Sequence, residues 1–226
     1  MPKKIVEKII DDTKEYLLAL KELGVDKLER EKTDPEFKRR SQALARLKKQ
    51  VENCQKCPLF KTRTNVVFGE GDPCAEIVFV GEAPGEKEDL SGKPFVGSAG
   101  KILTDIIERG MKLKRSSVYI CNVLKCRPPK NRDPKPEEIQ ACKPFLEKQL
   151  KILKPKVIIA LGKYASWWLL KTSEPITRLR GRWGEYEGIP VMPTYHPAYL
   201  LHNPKGKREV WQDIKKVLEY LKRSKQ

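Results

Sequence analysis

Four short runs of branched and aromatic residues, separated by stretches with helical spacing, limit this chain to one broad architecture. Ile77-Val78-Phe79-Val80 ends in Gly81, and Val118-Tyr119-Ile120, Val157-Ile158-Ile159-Ala160-Leu161 and Val191-Met192-Pro193 complete the set. Each is too short for a helix and too uniformly apolar to keep one face in water, so each is expected to be a strand buried on both faces. Between them, Ser98 stands as a cap for a helix carrying Ile102, Leu103, Ile106 and Ile107. Pro136-Glu137-Glu138 opens a second with Ile139, Phe145, Leu146 and Leu150, and 163–171 is a short third. A closing amphipathic helix over 209–222 carries Val210, Trp211, Ile214, Val217, Leu218 and Leu221. Strands alternating with helices predict the α/β class, as a three-layer α/β/α fold around a central, mostly parallel four-stranded sheet. The segment 183–191 reads as a hairpin leading into the fourth strand.

Upstream of these runs the pattern differs. Ile5, Ile9, Thr13, Tyr16, Leu20 and Leu23 follow helical spacing with Gly24 as a stop. Asp34 before Pro35 then reads as an N-cap, and Phe37, Leu44, Leu47 and Val51 continue an apolar stripe. The expected division is a helical N-terminal extension over 1–50 and a body over 51–226. With 39% hydrophobic residues in 226, the chain has enough to bury a core. No run approaches the ~20 apolar residues of a membrane span, and no signal-peptide core is evident. A cytoplasmic protein with no membrane partner is expected. The formal charge of +17 calls for a polyanionic partner, nucleic acid before an anionic membrane surface. The bland alternative is solubilising lysine, and the Lys- and Glu-rich composition fits a heat-loving source.

Six cysteines in such a chain suit metal binding or chemistry better than disulfides. Cys54 and Cys57 form a C-x-x-C followed by Pro58, and Cys126 and Cys142 supply a distant pair. Four thiolates from two segments can hold zinc or an iron–sulfur cluster, and the spacing leaves both open while leaning towards the cluster. Cys121, at a strand end, reads as a core residue, and Cys74 as a bystander.

In a parallel sheet, ligands bind beyond the carboxyl ends of the strands. The first strand leads into Gly81-Glu82-Ala83-Pro84-Gly85-Glu86-Lys87-Glu88-Asp89, the second into Asn122, and the fourth into Tyr195-His196-Pro197-Ala198-Tyr199-Leu200-Leu201. A carboxylate, an amide and an imidazole are thus expected on one rim, with Phe95 on a glycine-flanked loop beside them. Taken singly, Asn122 reads as a turn former, His196 as a helix cap or a core residue, Phe95 as core and the acids as solvated charges. Taken jointly they suit a pyrimidine. An Asn amide matches the O4 and N3–H edge of uracil, and an aromatic face stacks a base for ~1–3 kcal/mol. A His donor stabilises charge on a departing base, and a carboxylate activates water. Arg127, Lys130, Arg132, Lys205, Lys207 and Arg208 are expected to grip phosphates, and Leu200 and Leu201 to act as a wedge.

These blocks resemble the family 4 uracil-DNA glycosylases. Gly81 to Gly85 with Glu88-Asp89, then Gly92-Lys93-Pro94-Phe95-Val96-Gly97-Ser98-Ala99-Gly100, is similar to that family's first signature. Asn122-Val123-Leu124-Lys125-Cys126-Arg127-Pro128-Pro129 resembles the second, and His196-Pro197-Ala198-Tyr199-Leu200-Leu201 the third. The resemblance runs from about Cys54 to the end of the chain. It implies a monomer that hydrolyses the N-glycosidic bond of uracil in single- or double-stranded DNA, with a structural 4Fe-4S cluster on Cys54, Cys57, Cys126 and Cys142. It further implies that Phe95 stacks on uracil, Asn122 reads its edge and His196 stabilises the leaving base. Glu82 and Ala83 then line the pocket, and Glu88 is a second functional carboxylate. Three positions depart from the family: Ala83 for a common Gly, Ala198 for Ser and His202 for Arg. The residues do not identify a sliding clamp or other repair partner. Two rival readings remain at this point: a non-catalytic iron–sulfur or zinc module binding nucleic acid, and a metal-dependent nuclease using Glu82, Glu88 and Asp89.

Overall fold

The computed structural model describes residues 3–22 and 34–224. It divides into two compact units, one up to Lys38 and one from Arg39 onward. In the first, helix α1 (Lys3–Glu22) exposes Ile9 and Tyr16, two members of the expected stripe. Gly24, the expected stop, lies outside the described residues. Helix α2 (Pro35–Glu52) begins as read, with Asp34 Oδ1 accepting from the Glu36 amide at 2.9 Å. Its Leu44, Leu47 and Val51 are buried in the core of the second unit, which begins at Arg39.

Among the described residues of the second unit, six strands form one sheet in the order β1-β3-β2-β4-β6-β5. Strands β2 (Ile77–Gly81), β3 (Tyr119–Asn122), β4 (Val157–Leu161) and β6 (Ile189–Thr194) are the four expected ones and run parallel. Two short antiparallel edges are added: β1 (Glu70–Gly71) on β3, and β5 (Gly184–Tyr186), which forms the expected hairpin with β6. Alternation along β2 explains the layering. Val78 and Val80 face a core shared with α2 and α5 (Pro136–Leu153), whereas Ile77 and Phe79 face one shared with α4 (Ser98–Asp105) and α9 (Gly206–Arg223). Burying each such side chain contributes about 1.5–3 kcal/mol. The remaining helices α3 (Glu86–Ser91), α6 (Gly162–Leu170), α7 (Ile176–Leu179) and α8 (Pro197–His202) are short. Ser98 starts α4 but makes no side-chain cap; the amide of Gly97 is taken by Glu88 instead. In-register pairs Gly81↔Asn122 and Leu161↔Thr194 align the carboxyl ends of the four parallel strands on one rim.

Candidate active site

A cavity of about 300 Å³ opens on that rim, lined among others by Glu82, Ala83, Phe95, Asn122, Arg132 and His196. It lies at the small end of ligand pockets, a size suited to one base. Asn122, the last residue of β3, is 1% exposed, and its Oδ1 has no hydrogen-bond partner. An unpaired buried carbonyl costs about 1–3 kcal/mol, so the pocket holds an acceptor awaiting a donor. Gly81 makes room for it: a Cβ there would stand 2.3 Å from Asn122 Oδ1 and 2.6 Å from Phe95 Cζ. Behind Asn122, the Nζ of Lys125 donates to its backbone carbonyl at 2.7 Å, from a side chain that is 0% exposed.

His196 caps α8, its Nδ1 accepting from the Ala198 amide at 3.1 Å. That bond places the proton of the neutral ring on Nε2, which is therefore a donor. Burial pushes the imidazole down to about 4, opposed in part by the Glu88 charge. His196 thus caps α8 and also lines the cavity. Gly162, at φ +84°, lets β4 turn beneath it, since a Cβ there would meet His196 Cβ at 2.9 Å. The strand end before His196 is anchored by Asp213, which accepts from Thr194 Oγ1 at 2.7 Å and from the Arg180 guanidinium. Phe95 sits with its ring centroid 5.6 Å from that of His196. Glu88 Oε1 accepts from the amides of Val96 at 2.9 Å and Gly97 at 2.8 Å, so this carboxylate holds the Phe95 loop. Glu82 is different: burial pushes it up to about 7, Asp133 adds to the rise, and Lys163 opposes it.

Several expected contacts need correction. Leu200 is 2% exposed and packs into the core, whereas Leu201 is 44% exposed. The inward face of α8 takes Leu200, so it is no wedge. Arg132 is spent on Glu138, with Nη1 and Nη2 at 2.9 and 2.5 Å from its carboxylate oxygens. It walls the pocket instead of reaching for a phosphate. Arg127 is shared with Asn131 Oδ1 at 2.7 Å and Glu86 at 3.4 Å. Lys130, Lys205, Lys207 and Arg208 are exposed. The nuclease triad is not assembled, because Asp89 is buried and accepts from the amides of Thr64 and Asn65.

Below the rim, Cys54, Cys57, Cys126 and Cys142 line one small chamber with Arg63 and Lys125. Arg63 Nη1 donates to Cys126 Sγ at 3.2 Å, and burial pushes the Cys142 thiol up to about 12. Among the described residues no three His, Cys, Asp or Glu side chains converge on a single-ion site. Sequence reasoning missed Lys125 and Gly162. The lysine had one signal, its place between the apolar pair Val123-Leu124 and Cys126.

Fold and site together define a class: an α/β protein presenting, at the ends of its parallel strands, a base-sized pocket into which an amide, an imidazole and a carboxyl are set. Residues 68–215 match the model of the uracil DNA glycosylase superfamily. A type-4 uracil-DNA glycosylase of Sulfurisphaera tokodaii is 48% identical over 185 residues, 78% of this chain and 84% of that one. One from Thermotoga maritima is 46% identical over 188 residues, covering 81% and 97%. The chain belongs to the uracil DNA glycosylase superfamily.

Proposed function

We propose that this enzyme removes uracil from DNA by hydrolysing its N-glycosidic bond, leaving an abasic site. The observation that carries this reading is the unpaired Asn122 Oδ1 beside a neutral His196 in a base-sized cavity. A uracil drawn out of the stack offers N3–H to Oδ1 and O4 to the Asn122 amide nitrogen; cytosine carries no hydrogen at N3. Phe95 supplies the stacking face. As the C1′–N1 bond breaks, negative charge moves into the ring, and His196 Nε2–H donates to O2. Glu82, once ionised, accepts a proton from the water whose oxygen bonds to C1′. Glu88 acts by holding the loop rather than by touching the base. The exposed Lys130, Lys205, Lys207, Arg208 and Leu201, with Arg127, supply the DNA-facing surface.

The chamber suits a 4Fe-4S cluster on Cys54, Cys57, Cys126 and Cys142. The thiolates of such a cluster bind separate irons, so they need not converge as zinc ligands must. When bound, the cluster supplies a structural crosslink near DNA, with no electron transfer in the reaction. Action as a monomer is part of this reading, and a DNA substrate supports an intracellular site. Among the described residues no helix is long and apolar enough to cross a membrane.

The test is a labelled oligonucleotide carrying one uracil, incubated with a magnesium chelator and then treated with alkali. Scission at the uracil only after alkali, and none in a thymine control, is the expected result. Magnesium-dependent scission without alkali would replace the reading with a nuclease. No scission by protein that retains its metal centre and binds DNA would favour the binding module.

A further inference from the structure

Phe95 adopts φ +52°, in the left-handed region that bulky side chains rarely occupy. Something outside the residue must hold it there. Glu88 takes the two amides that follow, as described above, and the two carbonyls of the turn are held from the opposite side. The guanidinium of Arg115 donates from Nη2 to the carbonyl of Pro94 at 2.8 Å and to that of Phe95 at 3.2 Å. Its Nη1 donates to Thr104 Oγ1 on α4 at 3.1 Å. Arg115 is part-buried at the start of the turn leading into β3, and burial lowers its pKa. It does not line the base cavity, but with Phe95, Gly100 and Thr104 it lines a separate depression. Gly100 completes the arrangement, because a Cβ there would collide with the Phe95 carbonyl at 1.9 Å.

We infer that Arg115 is a positioning residue for base recognition: its planar fork fixes the backbone of Phe95 so that the ring stands ready as a stacking face. This rests on the reading of Phe95 as the platform for the extruded uracil. A lysine in its place could not hold one nitrogen on two carbonyls and a second nitrogen on a hydroxyl in one fixed plane. A stacking platform acts on the extruded base in the bound state and the transition state alike, so its misplacement appears in KM more than in kcat.

The test compares Arg115→Met and Arg115→Lys with the wild type on uracil-containing single-stranded DNA. Arg115→Met is expected to raise KM about tenfold while kcat stays within about threefold, as for a lost stacking contact. Inhibition by free uracil should weaken by the same factor, and affinity for uracil-free DNA should not change. Arg115→Lys should fall between, and it carries the test alone if the methionine variant melts out. In a Phe95→Leu background, Arg115→Met should add less than about twofold, since both changes remove the same contact. Effects that multiply in the double variant, or an equal loss of affinity for uracil-free DNA, would overturn the inference; the second would make Arg115 a phosphate contact. Wild-type uracil release in the same assay separates the two claims. Absent release sinks the glycosylase reading, and normal release by both variants sinks this one.

Discussion

The base pocket and the cysteine chamber share the strand-to-loop segment from Asn122 to Cys126, yet they are built on opposite principles. The pocket keeps polar groups unsatisfied: a buried amide oxygen without a partner, a neutral imidazole with a free N–H, and a carboxyl that titrates near neutrality. The chamber packs thiols among Val51, Phe60 and Phe145 and supplies an arginine donor to sulfur. One site leaves polar groups open to a visitor, and the other encloses its thiols. Lys125 touches both, lining the chamber while its Nζ holds the Asn122 carbonyl. The lesson is that preorganisation at one end of a short segment can be anchored by burial at the other.

Three experiments press on that contrast. The largest effect is expected from His196→Ala, which removes the donor to the departing base and should lower kcat about 10²–10³-fold with DNA affinity nearly unchanged. An equal loss of both would make the imidazole structural and blur the distinction between the two sites. Next is Cys142→Ala. It should abolish broad absorption near ~400 nm and cost on the order of 3 kcal/mol, lowering Tm by about 10 °C. Excision at 25 °C by the protein that remains folded should fall less than about tenfold, consistent with a resident that stabilises rather than reacts. A loss matching that of His196→Ala, in folded protein, would give the chamber a part in the chemistry.

The smallest effect concerns pH. With Glu82 ionising at about 7 in the folded protein, kcat/KM should rise through neutrality and level off above it. With His196 held down to about 4, no loss is expected near its ordinary value of 6.5. Glu82→Gln should remove the rise. A carboxyl whose folded pKa is raised stabilises the fold in its protonated form below its unfolded value, and that advantage is lost as pH rises through 7. Glu82→Gln should therefore melt above the wild type at pH 8 and with it near pH 4. An unchanged pH profile in the variant would take Glu82 out of water activation.

Much of this arrangement was legible in the residues. The apolar runs marked the four parallel strands because strands buried on both faces must be apolar throughout, and the strand-end rule then placed Glu82, Asn122 and His196 on one rim. Strand β1 was not legible, since two residues carry no periodicity. Leu200 and Leu201 were both read as wedge residues because the phase of a six-residue helix depends on what it packs against. Arg132 looked like a phosphate contact because its partner, Glu138, lies across a loop whose course the sequence does not reveal. Arg115 and Lys125 drew no reading of their own from the residues, and only the fold turns one towards backbone carbonyls and the other into the core.

The strand order has a further consequence, for the timing of assembly. Glu82 follows β2, Asn122 ends β3, and His196 follows β6, which pairs with β4 near the end of the chain. Contacts between segments so far apart in sequence carry a loop-closure cost and slow folding. A growing chain that already displays its first signature blocks therefore has no competent pocket. The pocket is complete only once β6 and the His196 segment stand beside β4.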